Sequence, residues 1–230
     1  MKLKENLILI ISAIIICCSL IIDIMPNMLM DIETKLIFYL FAMFLVFVDM
    51  KVKNKKLVNE IDKEKNRRKY LMVILIIYSI LIASLLFLDG GYRRYGWGAT
   101  IKLFSKEHFE MYSNFIPFKT IYDFIQKAIT GSINNNIVFN NIIGNIIVFA
   151  PFGILVPMLF EKKFSKLKNF TLLMIGVVLA VEYIQFVTKT GSFDVDDLIL
   201  NVLGAVIVFW GMKIKVIRNF VDTIINSKKD

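Results

Sequence analysis

Between Glu182 and Gly204 the chain reads EYIQFVTKTGSFDVDDLILNVLG, an apolar stretch whose polar residues recur at helical spacing. Glu182 and Gln185 stand three apart near the end of one apolar run. Asp194, Asp197 and Asn201 stand three and four apart across the start of the next. These spacings place each set on one face of its helix. The turn Lys189-Thr190-Gly191-Ser192 lets a helical hairpin bring the two stripes together. Upstream, Asn141 and Asn145 share a face with Gly144, which would let a second helix approach closely. Carboxylates and amides gathered in apolar surroundings can supply negative charge, orient a ligand by hydrogen bonds, or transfer a proton.

The energetics favour gathering them. A carboxylate or amide in hydrocarbon costs roughly 2.5 kcal/mol or more unless it meets a partner or water. The arrangement expected is one cavity, open to the outside, shared by Asn141, Asn145, Glu182, Gln185, Asp197 and Asn201. A purely structural reading stands beside it. Membrane-helix amides often hydrogen-bond a neighbouring helix, at roughly 0.6–2 kcal/mol each. Asp194 fits a helix N-cap, with acidic residues after it favouring the dipole. Asp196 and Asp197 exceed what a cap needs, and Glu182, on the order of 10 Å below the helix end, is hard to justify as glue. Glu182 is therefore the candidate acid or base.

Other chemistries find less support. Asp194-x-Asp196-Asp197 lacks the glycine and distant glutamate of a calcium loop. The acids could still hold a divalent cation, but nothing in the spacing demands one, and no cofactor is expected. His108 is the single histidine, so HExxH and multi-histidine centres are excluded. Cys17 and Cys18 are adjacent within an apolar run, which suits neither a disulfide nor a metal site. No Gly-x-Ser-x-Gly elbow is present.

The elements that must position these residues are membrane helices. The 230-residue chain is 57% apolar, against roughly 45–50% in soluble domains, with a mean hydropathy of +0.66. Its apolar residues fall in blocks near the ~20 residues that cross hydrocarbon. The expected fold is all-α, a polytopic bundle of about six transmembrane helices. They run over Leu7–Met25, Thr34–Val48, Tyr70–Leu88, Ile137–Phe160, Phe170–Val187 and Val195–Met212. Residues 1–69 form two helices and a basic linker (51–69), residues 70–212 the main membrane domain, and residues 213–230 a basic tail. The first helix is read as retained rather than as a cleaved signal, because no A-x-A site follows it. Between the third and fourth helices, Pro117 starts a segment in which Phe118, Ile121, Ile125 and Ile129 share a face. An amphipathic or re-entrant helix on the outer side is expected there.

Charge sets the orientation. Net charge is +9, and most of the 28 Lys and Arg residues fall in segments 1–6, 51–69, 161–168 and 213–230. The positive-inside rule then places both termini in the cytoplasm of a bacterial cytoplasmic membrane. The excess charge faces inner-leaflet lipid, so the bilayer is the expected partner and nucleic acid is not.

Four ordered segments resemble the signature of VanZ-like membrane proteins. They are Asn114-Phe115-Ile116-Pro117-Phe118; Asn141-x-x-Gly144-Asn145-x-x-x-Phe149-x-Pro151-Phe152-Gly153-x-x-x-Pro157; Glu182-x-x-Gln185-Phe186; and Phe193-Asp194-Val195-Asp196-Asp197-x-x-x-Asn201-x-x-Gly204. The resemblance covers roughly Tyr70–Met212. It adds Asn114 to the candidate ligand-binding residues, and Arg93 or Arg94 as the match for an arginine the family often places before the first segment. It implies a Gram-positive cell-envelope protein associated with tolerance to teicoplanin and related glycopeptides, and it supplies no mechanism. Three functions follow as expectations: a pocket binding an envelope precursor or the drug, an enzyme on a lipid-linked substrate with Glu182 as acid or base, and a small transporter. Transport ranks last, because the inner halves of the helices carry almost no polar residues. The sequence leaves the oligomeric state open.

Overall fold

The computed structural model describes residues 6–25, 30–88, 109–110, 112–188 and 190–225. Arg93, Arg94 and His108 lie outside the described residues. The chain forms two compact units, one of residues 1–89 and 215–230, the other of residues 90–214.

In the first unit, α1 (Leu7–Ile24) packs on α2 (Ile32–Lys56), and α2 on α3 (Glu60–Ala83), which ends in a π-helical turn, Ser84–Leu88. α2 buries Lys35, Tyr39, Ala42, Val46 and Met50 along one stripe and exposes Ile37, Leu40, Phe41 and Phe44. α1 likewise buries Ser12, Ser19 and Asp23 while exposing Ile10, Ile14 and Ile21. Polar inside and apolar outside is the pattern of a bundle solvated by lipid. The small Ser12 side chain bonds back to the Ile8 carbonyl at 2.9 Å and reaches the Ala42 carbonyl of α2 at 3.4 Å. The segment expected as a basic linker is helical almost throughout. α2 runs on to Lys56, and α3 begins after Asn59, whose side chain caps the Ile61 amide at 2.9 Å. Lysines end α2, and Glu60 and Asp62 start α3, so each end complements its helix dipole.

In the second unit a two-residue strand, β1 (Ser113–Asn114), precedes α4 (Lys119–Ile129), α5 (Asn135–Val148), α6 (Phe152–Leu159), the short α7 (Glu161–Phe164) and α8 (Leu167–Thr188). β2 (Phe193–Asp194) then leads directly into α9 (Val195–Gly211), after which α10 (Lys215–Ile225) follows in the first unit. The span expected as one helix over 137–160 is broken into α5 and α6 at Phe149–Pro151, where Pro151 cannot supply a helical N–H. α9 sits at the centre, packed on α5, α6 and α8. A Cβ on Gly204 would collide with the Ile146 carbonyl of α5, and one on Gly153 would lie 2.7 Å from the Phe209 nitrogen. These two glycines set the close helix approaches. Gly144, expected in that role, has nothing within 4 Å of a built Cβ. α8 buries Phe170, Met174, Val178, Glu182 and Phe186 at four-residue intervals, and Phe170 stacks on Phe209 of α9 at 4.7 Å.

Among the described residues, four helical segments are long and apolar enough to cross a membrane: Leu7–Ile24, Glu60–Leu88, Asn135–Leu159 and Leu167–Thr188. A fifth is added if α9 and α10 count as one bent span. The fold is thus an all-α bundle in which, among the described residues, four or five helices are of that kind. α2 falls outside the set because its uncharged stretch runs only from Leu36 to Val48. α4 and α10 have 11 residues each, about half the length needed to cross. Both expose apolar side chains, Tyr122, Ile125 and Ile129 on α4 and Val216, Phe220 and Ile224 on α10.

Candidate functional site

The polar residues of the second unit meet where β2 turns into α9. The parallel pairing of Ser113 with Phe193 and of Asn114 with Asp194 ties the loop before α4 to the start of α9. Asp194 is the N-cap of α9. Its Oδ1 accepts the Asp196 amide at 2.8 Å and the Asn114 side-chain amide at 3.0 Å, and its Oδ2 accepts the Thr120 hydroxyl at 2.6 Å. The capping expected of Asp194 from its position before an apolar run is therefore present, with two further donors added.

Asp196 is wholly buried and caps a different helix. Its Oδ1 accepts the Phe118 amide at 2.5 Å, and its Oδ2 accepts the Ile121 amide at 3.1 Å, both at the N-terminus of α4. Phe118 holds φ 65°, ψ 4°, a left-handed conformation that costs a side chain other than glycine roughly 1–2 kcal/mol. The carboxylate of Asp196 offsets that cost by fixing two otherwise unmet donors.

Asp197 points to another partner. It accepts the Asn145 side-chain amide of α5 and is half-buried, as is Asn145. One turn on, Asn201 Nδ2 donates to the Asp197 carbonyl at 2.8 Å, while its buried Oδ1 has no hydrogen-bond partner. Glu182, 4% exposed, accepts the Asp194 amide at 3.4 Å, a long bond. The acids act on one another electrostatically: Asp197 on Glu182, and Asp194 and Asp196 on Asp197. Among the described residues none of the four forms an ion pair. Among the described residues there is also no group of three or more His, Cys, Asp or Glu placed to hold a metal ion.

Beside the cluster, Phe109, Phe115, Phe186 and Phe193 form a ring of aromatic contacts at 5.5–6.4 Å. Gln185 sets the turn after α8, its carbonyl accepting the Thr190 amide at 3.0 Å and the Gly191 amide at 3.3 Å. A Cβ on Gly191 would sit 3.2 Å from Gln185 Nε2, so the turn is tightly closed.

Hydrogen bonds link Asn114, Asn145, Glu182, Asp194, Asp196, Asp197 and Asn201 in one region. Asn141 is exposed and bonds back to the Ile137 carbonyl of its own helix at 2.7 Å. Sequence reasoning missed Thr120 and the αL geometry of Phe118. The first has a signal, a hydroxyl three residues after Pro117 at a helix start. The second depends on a tertiary contact that no local pattern encodes.

Fold and cluster define a class: a polytopic helical membrane protein that buries acidic side chains between its helices. Residues 75–217 match the family model described as VanZ/LLP1, a range that includes every residue of the cluster, and the chain belongs to that family. It is 35% identical over 81 residues to Protein VanZ of Enterococcus faecium. That alignment covers 35% of this chain and 47% of the relative, so the chain spans about half the length of the curated relative it matches. No solved structure matches it.

Proposed function

We propose that this VanZ-family protein acts at the bacterial cell envelope through a ligand site built on Glu182, Asp197, Asn145 and Asn201. One observation carries the reading. Asp194 and Asp196 have both oxygens occupied by protein donors, whereas Glu182 receives one long bond and Asn201 Oδ1 receives none. Acceptors left unsatisfied next to unpaired acids suit a ligand rich in N–H or O–H donors, or a cationic amine. An envelope precursor or a glycopeptide offers such groups. Asp194, Asp196 and Asn114 hold the frame, Gln185 shapes the turn, and Arg93 or Arg94 pairs with an anionic part of the ligand. α4 lies at the membrane surface as an amphipathic helix.

Expression in a susceptible Gram-positive host tests this reading. Tolerance to teicoplanin-like drugs should rise more than tolerance to unrelated antibiotics. An unchanged inhibitory concentration with the protein present in the membrane would refute it.

The orientation proposed puts both termini in the cytoplasm and the α4–α5 turn outside, on the strength of the charge distribution. In a background lacking Cys17 and Cys18, a cysteine placed at Ser132 should label in intact cells. Labelling only after permeabilisation would reverse the orientation.

A second reading has a specific support. Glu182 and Asp197 are neighbouring carboxylates in unlike surroundings, one buried and one half-buried and amide-bonded. Such a pair supports the reading of an acid and a base acting on a lipid-linked substrate, with Glu182 as the proton carrier.

A further inference from the structure

The first unit contains a cavity that the carboxylate cluster does not involve. It measures about 740 Å³ and opens where the start of α1, the end of α2 and the start of α3 converge. Three lysines line it, Lys53 and Lys56 from α2 and Lys69 from α3. One acid, Asp49, lies among them. Lys53 Nζ donates to Asp49 Oδ2 at 2.8 Å and to the Tyr70 hydroxyl at 2.7 Å, and that hydroxyl donates to the same carboxylate. The Asp49 charge is therefore matched by Lys53. Lys56 and Lys69 pair with no carboxylate among the described residues, which leaves the cavity net positive.

We infer that this cavity binds a phosphate-bearing anion, held by Lys56 and Lys69 against the Lys53–Tyr70 pair, and that its source is the headgroup of an anionic membrane lipid. The shape of the site supports a phosphate. Two ammonium groups come from different helices, and Lys69, though exposed, also lies over the Tyr70 ring at 5.8 Å. The third wall is the first turn of α1, whose N-cap residue Asn6 makes no side-chain cap. Its amide dipoles favour negative charge in the same space. The lipid source follows from the remaining lining. Leu7, Val52 and Leu57 place apolar surface beside the lysines, where the apolar stretches of α1 and α3 begin. A headgroup with its glycerol and acyl roots matches both parts, and basic pockets between membrane helices bind such lipids. Lysines in the last turn of a helix also complement its dipole. That role explains Lys56 but not Lys69, which lies in the interior of α3, well before its last turn.

The full chain in detergent, titrated with phosphatidylglycerol, phosphatidylcholine or inorganic phosphate while its unfolding temperature is followed, tests the inference. Phosphatidylglycerol should raise the unfolding temperature and phosphatidylcholine should not. In the K56Q/K69Q variant the apparent affinity for phosphatidylglycerol should fall roughly thirty-fold, as expected for two lysines at an anionic headgroup. The K55Q/K65Q variant removes the same charge from the same segments outside the cavity, and should bind as the parent does. Lys69→Arg should retain binding, which separates lost charge from a damaged fold. Competition by millimolar inorganic phosphate would assign the site to soluble phosphate rather than to lipid. Equal loss in both double variants, or no preference for phosphatidylglycerol, would overturn the site.

Discussion

The carboxylate of Asp196 accepts the amide of Phe118 at 2.5 Å, although the two residues belong to different helices and are far apart in the chain. A buried acid at the start of α9 thereby closes the N-terminus of α4 and holds Phe118 at positive φ. The pairing turns a sequence motif that resembles ligand chemistry into a clamp. The short parallel β pair and the Thr120–Asp194 bond fasten the same two elements a few residues away.

Asp196→Ala should therefore destabilise the protein by about 2 kcal/mol, within the range for losing a helix cap and leaving its donors unmet. Asp196→Asn keeps one carbonyl acceptor and should cost less. Phe118→Gly should be neutral or stabilising by up to about 1 kcal/mol, because glycine adopts the αL region without strain and the Phe118 side chain is mostly exposed. Unfolding temperatures of the three variants in detergent check the pattern. Equal stability of Asp196→Ala and the parent would show that the clamp contributes nothing.

The first unit has its own buried charge. Lys35 Nζ lies 3.1 Å from Asp23 Oδ1, both side chains wholly buried, and the Ser84 hydroxyl donates to Asp23 Oδ2 at 2.5 Å from the start of the π-helical turn. Removing one member strands the other, at about 3–5 kcal/mol. Lys35→Met should thus lower the unfolding temperature sharply. Pairing it with Asp23→Asn, which keeps an acceptor for Ser84, should recover most of the loss. A double variant no more stable than Lys35→Met alone would mean that the pair is not the source of the cost.

These cases show what the sequence discloses and what it hides. Helical spacing was enough to place Glu182, Asp194, Asp197 and Asn201 on facing stripes, because a 3.6-residue period is a local property. Asp23 and Lys35 stand near the ends of their segments, and nothing in either segment says that two helices will pair them. Gly144 and Gly204 look alike in sequence, yet only Gly204 lies against a neighbouring backbone. Which glycine makes the close approach depends on the rotation of α5 about its axis, and its apolar residues surround it too evenly to fix that rotation. Asn141 turned back to its own helix for the same reason. The charged segment 51–69 read as a linker because it lacks an apolar block, while its caps and the i,i+3 pair of Glu60 with Lys63 at 2.9 Å favour helix.

The remaining prediction separates function from packing at the cluster. Glu182 is buried, carries no ion-pair partner among the described residues, and accepts one long hydrogen bond. Replacing it by its neutral isostere removes the cost of holding a charge in apolar surroundings. Glu182→Gln should therefore keep or raise the unfolding temperature in detergent. If Glu182 handles a ligand or a proton, the same change should abolish the glycopeptide phenotype at unchanged membrane abundance. Asp197→Asn should behave alike, because Asn keeps an oxygen that can accept the Asn145 amide. A packing role predicts the reverse, with a loss of roughly 1–3 kcal/mol as polar groups go unpaired, early melting and depleted protein. Phenotype and stability measured on the same preparations distinguish the two, and a variant that melts early while its residual protein stays active would remove Glu182 from the site.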